Sequence, residues 1–253
     1  MQSYIIGGWT QDIHQQAPQE FAVVMYGMIT NLPALTAGTV QEPGWSPTSV
    51  DAPRTSKANV LWTYGGGGAV PDAMPKSQES INAITECTKK HYWDGVDFDD
   101  ESQMNISHVI ETMRLLKVQC PSKQSSYTFL AGWNYNNPQQ STAGQATNRK
   151  VQSIAQADCT NRFILMCYAD KMWDMDDIIA NVGPAIGRTL DNGVPPKSVI
   201  LALTPSGLTQ ENLAYFLKQV TEYDIGGLFI WNFENLMSAD LQLIIDTLGI
   251  NMT

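Results

Sequence analysis

The 253-residue chain carries 25 acidic against 15 basic side chains, a formal charge of −10, and its pI lies near 4.6. That balance excludes nucleic acid and anionic membrane surfaces as expected partners, since both are bound through clustered Lys and Arg. With 43% hydrophobic residues and no apolar run long enough to span a bilayer, the composition is that of a soluble globular protein, and a neutral substrate suits its charge.

In chain order, short β-branched and aromatic runs recur between amphipathic stretches. The first is Tyr4 to Gly8, followed by Phe21 to Ile29 and Asn59 to Tyr64. The fourth is Gly95 to Glu101, the fifth Ser126 to Gly132 and the sixth Arg162 to Ala169; Ser198 to Thr204 and Gly226 to Asn232 complete the set. Most are apolar nearly throughout, which predicts strands buried on both faces. Helical spacing appears between them. Ile81, Ile84 and Cys87 mark residues 77 to 92, and Val109, Ile110, Met113 and Leu116 mark 107 to 119. Residues 174 to 190 carry Ile178, Ile179, Val182 and Ile186, with Gly183 and Pro184 expected to break or kink the helix. Leu213, Phe216, Leu217 and Val220 predict a seventh helix, and Leu241, Ile244, Ile245 and Leu248 an eighth. Residues 30 to 57, with Pro33, Pro43, Pro47 and Pro53, read as a long loop holding at most a short helix. No repeat or linker interrupts the chain. Eight βα units in about 250 residues predict one domain, 1–253, of the α/β class: a closed (β/α)8 TIM barrel.

The four cysteines, Cys87, Cys120, Cys159 and Cys167, form no CxxC pair, so neither a zinc ribbon nor a thioredoxin-like motif is expected. On the barrel reading Cys120 and Cys159 both precede strands at one end, which makes them the expected bridge; four free thiols are the alternative. His14, His91 and His108 lack metal-ligand spacing, and no metal or other cofactor is expected. Residues 1 to 10 show no signal peptide. Sequons at Asn105 and Asn251 favour a secretory history, so the expected location is secreted or extracytoplasmic. Composition says nothing of oligomeric state.

Residues 94 to 101 read DGVDFDDE. Val96 and Phe98 alternate with Asp97, Asp99 and Glu101 at the two-residue period of a strand, so the three acids share one face at spacings of roughly 6 to 7 Å. Carboxylates so crowded cannot all ionise normally, and at least one keeps a proton near neutral pH. That is how a general acid is prepared. A helix-loop-helix calcium loop starting at Asp97 would need Gly at position 102 and Glu at 108, where Ser102 and His108 stand. In a barrel of this kind strands deliver chemistry at their C-terminal ends, and Glu101 ends the fourth.

The spacing D-x-x-D-x-D-x-E, filled by Asp94, Asp97, Asp99 and Glu101, resembles the active-site strand of glycoside hydrolase family 18, which contains chitinases and endo-β-N-acetylglucosaminidases. The resemblance implies a retaining, substrate-assisted reaction in which the substrate's N-acetyl oxygen is the nucleophile. It makes Glu101 the acid and Asp99 the group that orients the acetamide and stabilises the oxazolinium ion. Asp97 supports Asp99, and Asp94 is structural at the strand's entrance. Met166, Cys167, Tyr168 and Ala169 resemble the family's M-x-Y-D, which sets the Tyr168 hydroxyl against the N-acetyl carbonyl and Met166 beside the sugar. Ala169 departs from the family's Asp, and Asp170 follows it. Trp231 matches the tryptophan that floors the sugar site. Thr63, Tyr64, Gly65, Gly66, Gly67 and Gly68 resemble S-x-G-G, with Tyr64, Gly65 and Gly66 as candidate substrate contacts.

Each site residue also has a plainer reading. A Tyr or Trp near a strand end is commonly a packed core residue, and glycines let backbone pass close to a neighbouring strand or a sugar. Trp9, Trp133 and Trp173 follow the first, fifth and sixth strands and are candidates to stack on further sugar rings. Residues 205 to 225 leave no room for the insertion domain of some chitinases, which implies an open groove suited to endo-acting attack. The expected substrate is chitin or a chitooligosaccharide. Two alternatives stand beside it. Asp100, where chitinases usually have an apolar residue, resembles bacterial enzymes that cleave the core of N-glycans, and Ala169 keeps a catalytically silent chitin-binding lectin or storage protein in view.

Overall fold

The structure is a computed structural model that describes residues 4–29, 57–67, 75–90, 93–101, 104–131 and 141–250. Its eight strands are β1 (Ile5–Thr10), β2 (Phe21–Ile29), β3 (Asn59–Gly65), β4 (Gly95–Asp99), β5 (Gln124–Leu130), β6 (Arg162–Met166), β7 (Val199–Leu203) and β8 (Gly227–Trp231). Each pairs in parallel with the next, and β8 closes on β1. All eight apolar runs are therefore strands of one closed barrel. Helices α1 (Gln78–Lys90), α2 (Ile106–Gln119), α3 (Thr142–Ala157), α4 (Met175–Asp191), α5 (Gln210–Glu222) and α6 (Ser238–Leu248) lie in the connections. The expected loop at 30 to 57 lies, apart from Lys57, outside the described residues. Between β7 and β8 the chain forms only α5 and short turns, so no insertion domain is present there.

Register decides what fills the barrel. Thr63, Asp97, Ser126 and Arg162 are consecutive partners across β3 to β6 and face inward, while Gly65, Asp99 and Thr128 form the next inward row. On β1 and β8, Gly7 pairs with Phe229 and Trp9 with Trp231. Gly7 is small because a Cβ there would lie 2.7 Å from the Phe229 ring. The alternate residues face the helices: Tyr64 stacks on Phe98 at 5.9 Å, and Trp62 packs on Trp93 at 4.8 Å. Each strand is thus buried on both sides, which explains its continuous apolar run.

The structure departs from two sequence expectations and adds one helix that the sequence did not announce. Helix α4 runs unbroken through Gly183 and Pro184. Pro184 and Ala180 sit on the exposed face, where the carbonyl that proline's missing N–H leaves free is open to solvent, and Ile178, Val182, Ala185 and Ile186 hold the opposite face in the core. Gly183 serves helix packing, since a Cβ there would meet Gln219 Oε1 of α5 at 3.1 Å. Helix α3 escaped the periodicity reading, because its buried side consists of Gly144, Val151 and Ile154 only. Finally, Cys120 and Cys159 do not bridge; all four cysteines are free thiols. Among the described residues no helix is long and apolar enough to cross a membrane.

Candidate active site

The site is built on β4, whose inward row carries the acids. Asp97 is fully buried and accepts four side-chain hydrogen bonds. Ser126 Oγ donates to Oδ1 at 2.6 Å and Thr128 Oγ1 at 2.8 Å, while Thr63 Oγ1 donates to Oδ2 at 3.1 Å and Trp9 Nε1 at 3.4 Å. Burial pushes the Asp97 carboxyl above its ordinary range, and these donors pull it back. Four donors converging on two oxygens suit the carboxylate form, and they fix its position.

Asp99 stands one inward row nearer the mouth, 6% exposed. Burial raises its carboxyl far above the ordinary range, and the charges of Glu101, Asp97 and Asp100 add to the effect. A hydrogen bond joins Asp99 to Glu101, raising the one and lowering the other, so the two carboxyls are arranged to share a proton. The remaining oxygen, Asp99 Oδ1, is buried without a partner among the described residues. Glu101 lies beyond the end of β4, in a bend at the exposed rim. Partial burial raises its carboxyl, against the pull of the Gly67 N–H and Asp99. The outcome is a carboxyl ladder that leads outward and stores a proton at its upper rungs.

Tyr168 arrives from the end of β6, 7% exposed. Burial raises its hydroxyl well above the usual phenol range, and the negative charges of Asp99, Glu101 and Asp97 raise it further, which places it among the acids. Strand β6 itself ends at Met166, and an isolated bridge between Tyr168 and Met172 replaces the expected strand end. Met166 is inward-facing and buried; Ala169 and Asp170 are exposed on the turn of that bridge. Trp231, at the end of β8, is half-buried beside Trp9, their rings 6.5 Å apart and tilted by 53°.

Several expected contacts fall elsewhere. Trp9 lies within β1 and is 2% exposed, its ring edge-on to Phe229 and its indole committed to Asp97, so it offers no free face to a sugar. Tyr64 faces the helix layer, fully buried against Phe98, and is no part of the pocket. Gly65 and Gly66 adopt φ of +99° and +88°, and a Cβ on Gly65 would meet the Asp99 carbonyl oxygen at 2.3 Å. Their first duty is therefore the close approach of β3's end to the acid strand. A Cβ on Gly67 would lie 3.4 Å from the Glu101 carboxyl oxygens. Trp173 is half-buried after the β6 turn and packs against the core. Trp133, Gly68, His91 and Asn251 lie outside the described residues. Asp94 ties the strand bases together: its Oδ2 accepts from Val60 N–H at 2.9 Å and its carbonyl from Gln124 N–H at 2.7 Å. Asn105 caps α2, its side-chain oxygen accepting from the Ser107 and His108 N–H groups.

Sequence reasoning missed the residues that hold Asp97. Ser126 and Thr128 are ordinary strand residues whose one signal was polarity at alternate positions in a barrel strand. Arg162 faces the same interior row; burial lowers its guanidinium to about 10, and the charge of Asp97 works against that lowering. It supplies positive potential beneath an otherwise anionic site. Asp100 points the opposite way, to the helix side, where it meets Lys150 and Tyr127.

No protein-family model matches the sequence, and no curated protein matches it. Solved structures do. The catalytic domain of a family 18 chitinase from the fern Peteris ryukyuensis superposes with a TM-score of 0.66 at 11% identity, over 98% of this chain and 100% of that one. A fungal endo-β-N-acetylglucosaminidase of glycosyl hydrolase family 18 gives a TM-score of 0.65 at 14% identity, over 97% of each chain. The catalytic domain of a hyperthermophilic chitinase from Pyrococcus furiosus gives 0.65 at 10% identity, over 99% and 97%. The chain thus has the (β/α)8 barrel fold of glycoside hydrolase family 18 catalytic domains.

Proposed function

We propose that the protein is a retaining, endo-acting hydrolase of β-1,4-linked N-acetylglucosaminides, with chitin or chitooligosaccharides as substrate. The observation that carries this reading is the pair of carboxyls Asp99 and Glu101 at the C-terminal mouth of the barrel, both raised by burial and joined by a hydrogen bond, with an unpartnered buried oxygen on Asp99. Glu101 protonates the glycosidic oxygen as the bond to the anomeric carbon breaks, and the neighbouring N-acetyl oxygen closes on that carbon from the opposite face. Asp99 Oδ1 accepts the acetamido N–H and stabilises the oxazolinium ion, while Tyr168 donates to the acetamide oxygen. Trp231 offers a flat floor to the sugar. Water, deprotonated by Glu101, then opens the ion with net retention. Asp97, held by four donors, keeps Asp99 at its station.

Cleavage between the core N-acetylglucosamines of N-glycans is the second reading. It is favoured by the equally good superposition on the fungal endo-β-N-acetylglucosaminidase and by the acidic residue at 100. Both readings use one mechanism and differ in what lies beyond the scissile bond. Incubation with N-acetylchitooligosaccharides and with a high-mannose glycoprotein separates them. Reducing-sugar release from the first, abolished in Glu101→Gln, supports the chitinase reading; turnover of the glycoprotein alone moves the assignment to the second. Tight sugar binding without turnover of either defeats both and leaves the lectin reading. A substrate lacking the N-acetyl group should be inert, and its rapid cleavage would exclude substrate assistance.

A further inference from the structure

Asp100, like Asp94, is an acid of the 94–101 segment that the proposed reaction leaves unused. Only 2% of its side chain is exposed, on the helix side of β4. Donors from three places meet there: Lys150 Nζ of α3 at 2.6 Å, the Tyr127 hydroxyl of β5 at 2.7 Å and the backbone N–H of Met104 at 2.7 Å. Asp100's own N–H donates to the Thr128 carbonyl at 2.9 Å. A carboxylate so withdrawn from water is stable only when paired and fully hydrogen-bonded, and this one is both.

The position of those bonds gives them a second consequence. Glu101 follows Asp100 directly, and Met104 lies on its far side in sequence, so the Asp100 carboxylate pins the backbone before and after Glu101. The Met104 side chain in turn fills the space over Gly65, where a Cβ would lie 2.1 Å from its terminal methyl. Gly65 pairs with Asp99, and Gly66 N–H donates to the Asp99 carbonyl at 2.9 Å. Lys150, Asp100, Met104 and Gly65 therefore form a continuous chain of contacts around the rim residue.

We propose that Asp100, Lys150 and Tyr127 form a clamp that positions Glu101 over Asp99, with Lys150 and Tyr127 acting on the acid through Asp100 and the backbone. The inference rests on the reading of Glu101 as the acid. A displacement of the proton donor by about 1 Å typically lowers the rate about a hundredfold without equal loss of binding.

The test compares wild type with Lys150→Met, Lys150→Arg, Tyr127→Phe and the double variant Asp100→Asn/Lys150→Met. Steady-state kinetics on N-acetylchitooligosaccharides and a high-mannose glycoprotein are read beside the carboxyl 13C titration of Glu101, which needs no substrate. The expected result is a kcat lowered about ten- to a hundredfold in Lys150→Met and the double variant, with KM changed less than about twofold. Tyr127→Phe, which removes one neutral donor and keeps the ion pair, should lose about threefold, and Lys150→Arg should recover most of the wild-type rate. The Glu101 titration should move in step with the rate. Unchanged kcat, or a loss that follows the folded fraction while the Glu101 titration stays at its wild-type position, overturns the clamp. If wild type turns over neither substrate, the enzyme reading fails by itself, and the Glu101 titration alone decides the clamp: movement in Lys150→Met with recovery in Lys150→Arg upholds it, and no movement refutes it.

Discussion

The two faces of β4 hold the same residue type in opposite states. On the inner face Asp97, Asp99 and Glu101 climb toward the mouth, and the cation behind them, Arg162, shares the row of Asp97, one row below Asp99. Their carboxyls are all raised, chiefly by burial. On the outer face Asp100, adjacent in sequence to two of them, has Lys150 at 2.6 Å and two further donors. What makes a buried carboxyl an acid is the withholding of a counter-charge; what makes it a structural anchor is the supply of one. A strand provides both conditions within a few ångströms because consecutive side chains leave on opposite faces.

That contrast can be broken at several points. The largest expected effect is on rate: Glu101→Gln, which keeps the shape and removes the proton, should lower kcat by about 10²- to 10⁴-fold while sugar binding, measured by calorimetry, persists. Comparable turnover in that variant would remove Glu101 from the chemistry.

On the outer face the expected effect is on folding. Asp100→Ala leaves Lys150 without its partner in a mostly buried position, and breaking such a pair typically destabilises by about 3–5 kcal/mol. A urea midpoint within error of wild type would mean that the pair contributes nothing to the fold.

The inner face should respond with the opposite sign. Asp99 has a folded-state pKa raised well above the model-peptide 3.8. Between the unfolded and folded values the native state therefore binds more protons than the unfolded chain, and stability falls as pH rises through that window. Above the folded value the full penalty of ionising a buried acid applies. Asp99→Asn removes that penalty, so its Tm should exceed that of wild type at pH 8, by about 2–4 °C for each kcal/mol released, and the gap should close toward pH 4. A gap that is constant with pH would show that Asp99 titrates as it does in the unfolded chain. The same variant should lose activity, an instance of stability given up at a functional site.

The smallest effect is expected at Tyr64. Its hydroxyl is buried without a partner among the described residues, so Tyr64→Phe should leave activity unchanged and raise stability by up to about 1 kcal/mol. A raised KM in this variant would return Tyr64 to the substrate site.

How much of this was legible in the sequence follows from the range of each signal. Burial on both faces writes eight apolar runs into the chain, and these give the barrel directly. The acid ladder is also local, since Asp97 and Asp99 alternate with Val96 and Phe98 within β4 and Glu101 follows two residues later, just past its end. Helix α3 was illegible because Gly144, Val151 and Ile154 make too thin a stripe to mark its period. Pro184 misled, because a proline on the wet side of a helix does not end it. Tyr64 was misplaced because alternation separates two faces of a strand without saying which one turns inward, and that depends on register with the neighbours; Trp9 was misplaced because β1 runs on through Thr10 and the indole is taken up by Asp97 across the barrel.

By itself, then, the sequence determined the eight strands, their parallel order and the shared face of three carboxyls, because these are consequences of residue type at spacings of two to four. The tertiary structure alone decided which carboxyls are pushed up by burial and which is paired. That choice depends on Ser126, Thr128, Thr63 and Trp9 closing around Asp97, and on Lys150 reaching Asp100 from a helix 50 residues away. Proton affinity is set by charges and donors brought close in space, and no spacing along one strand contains them.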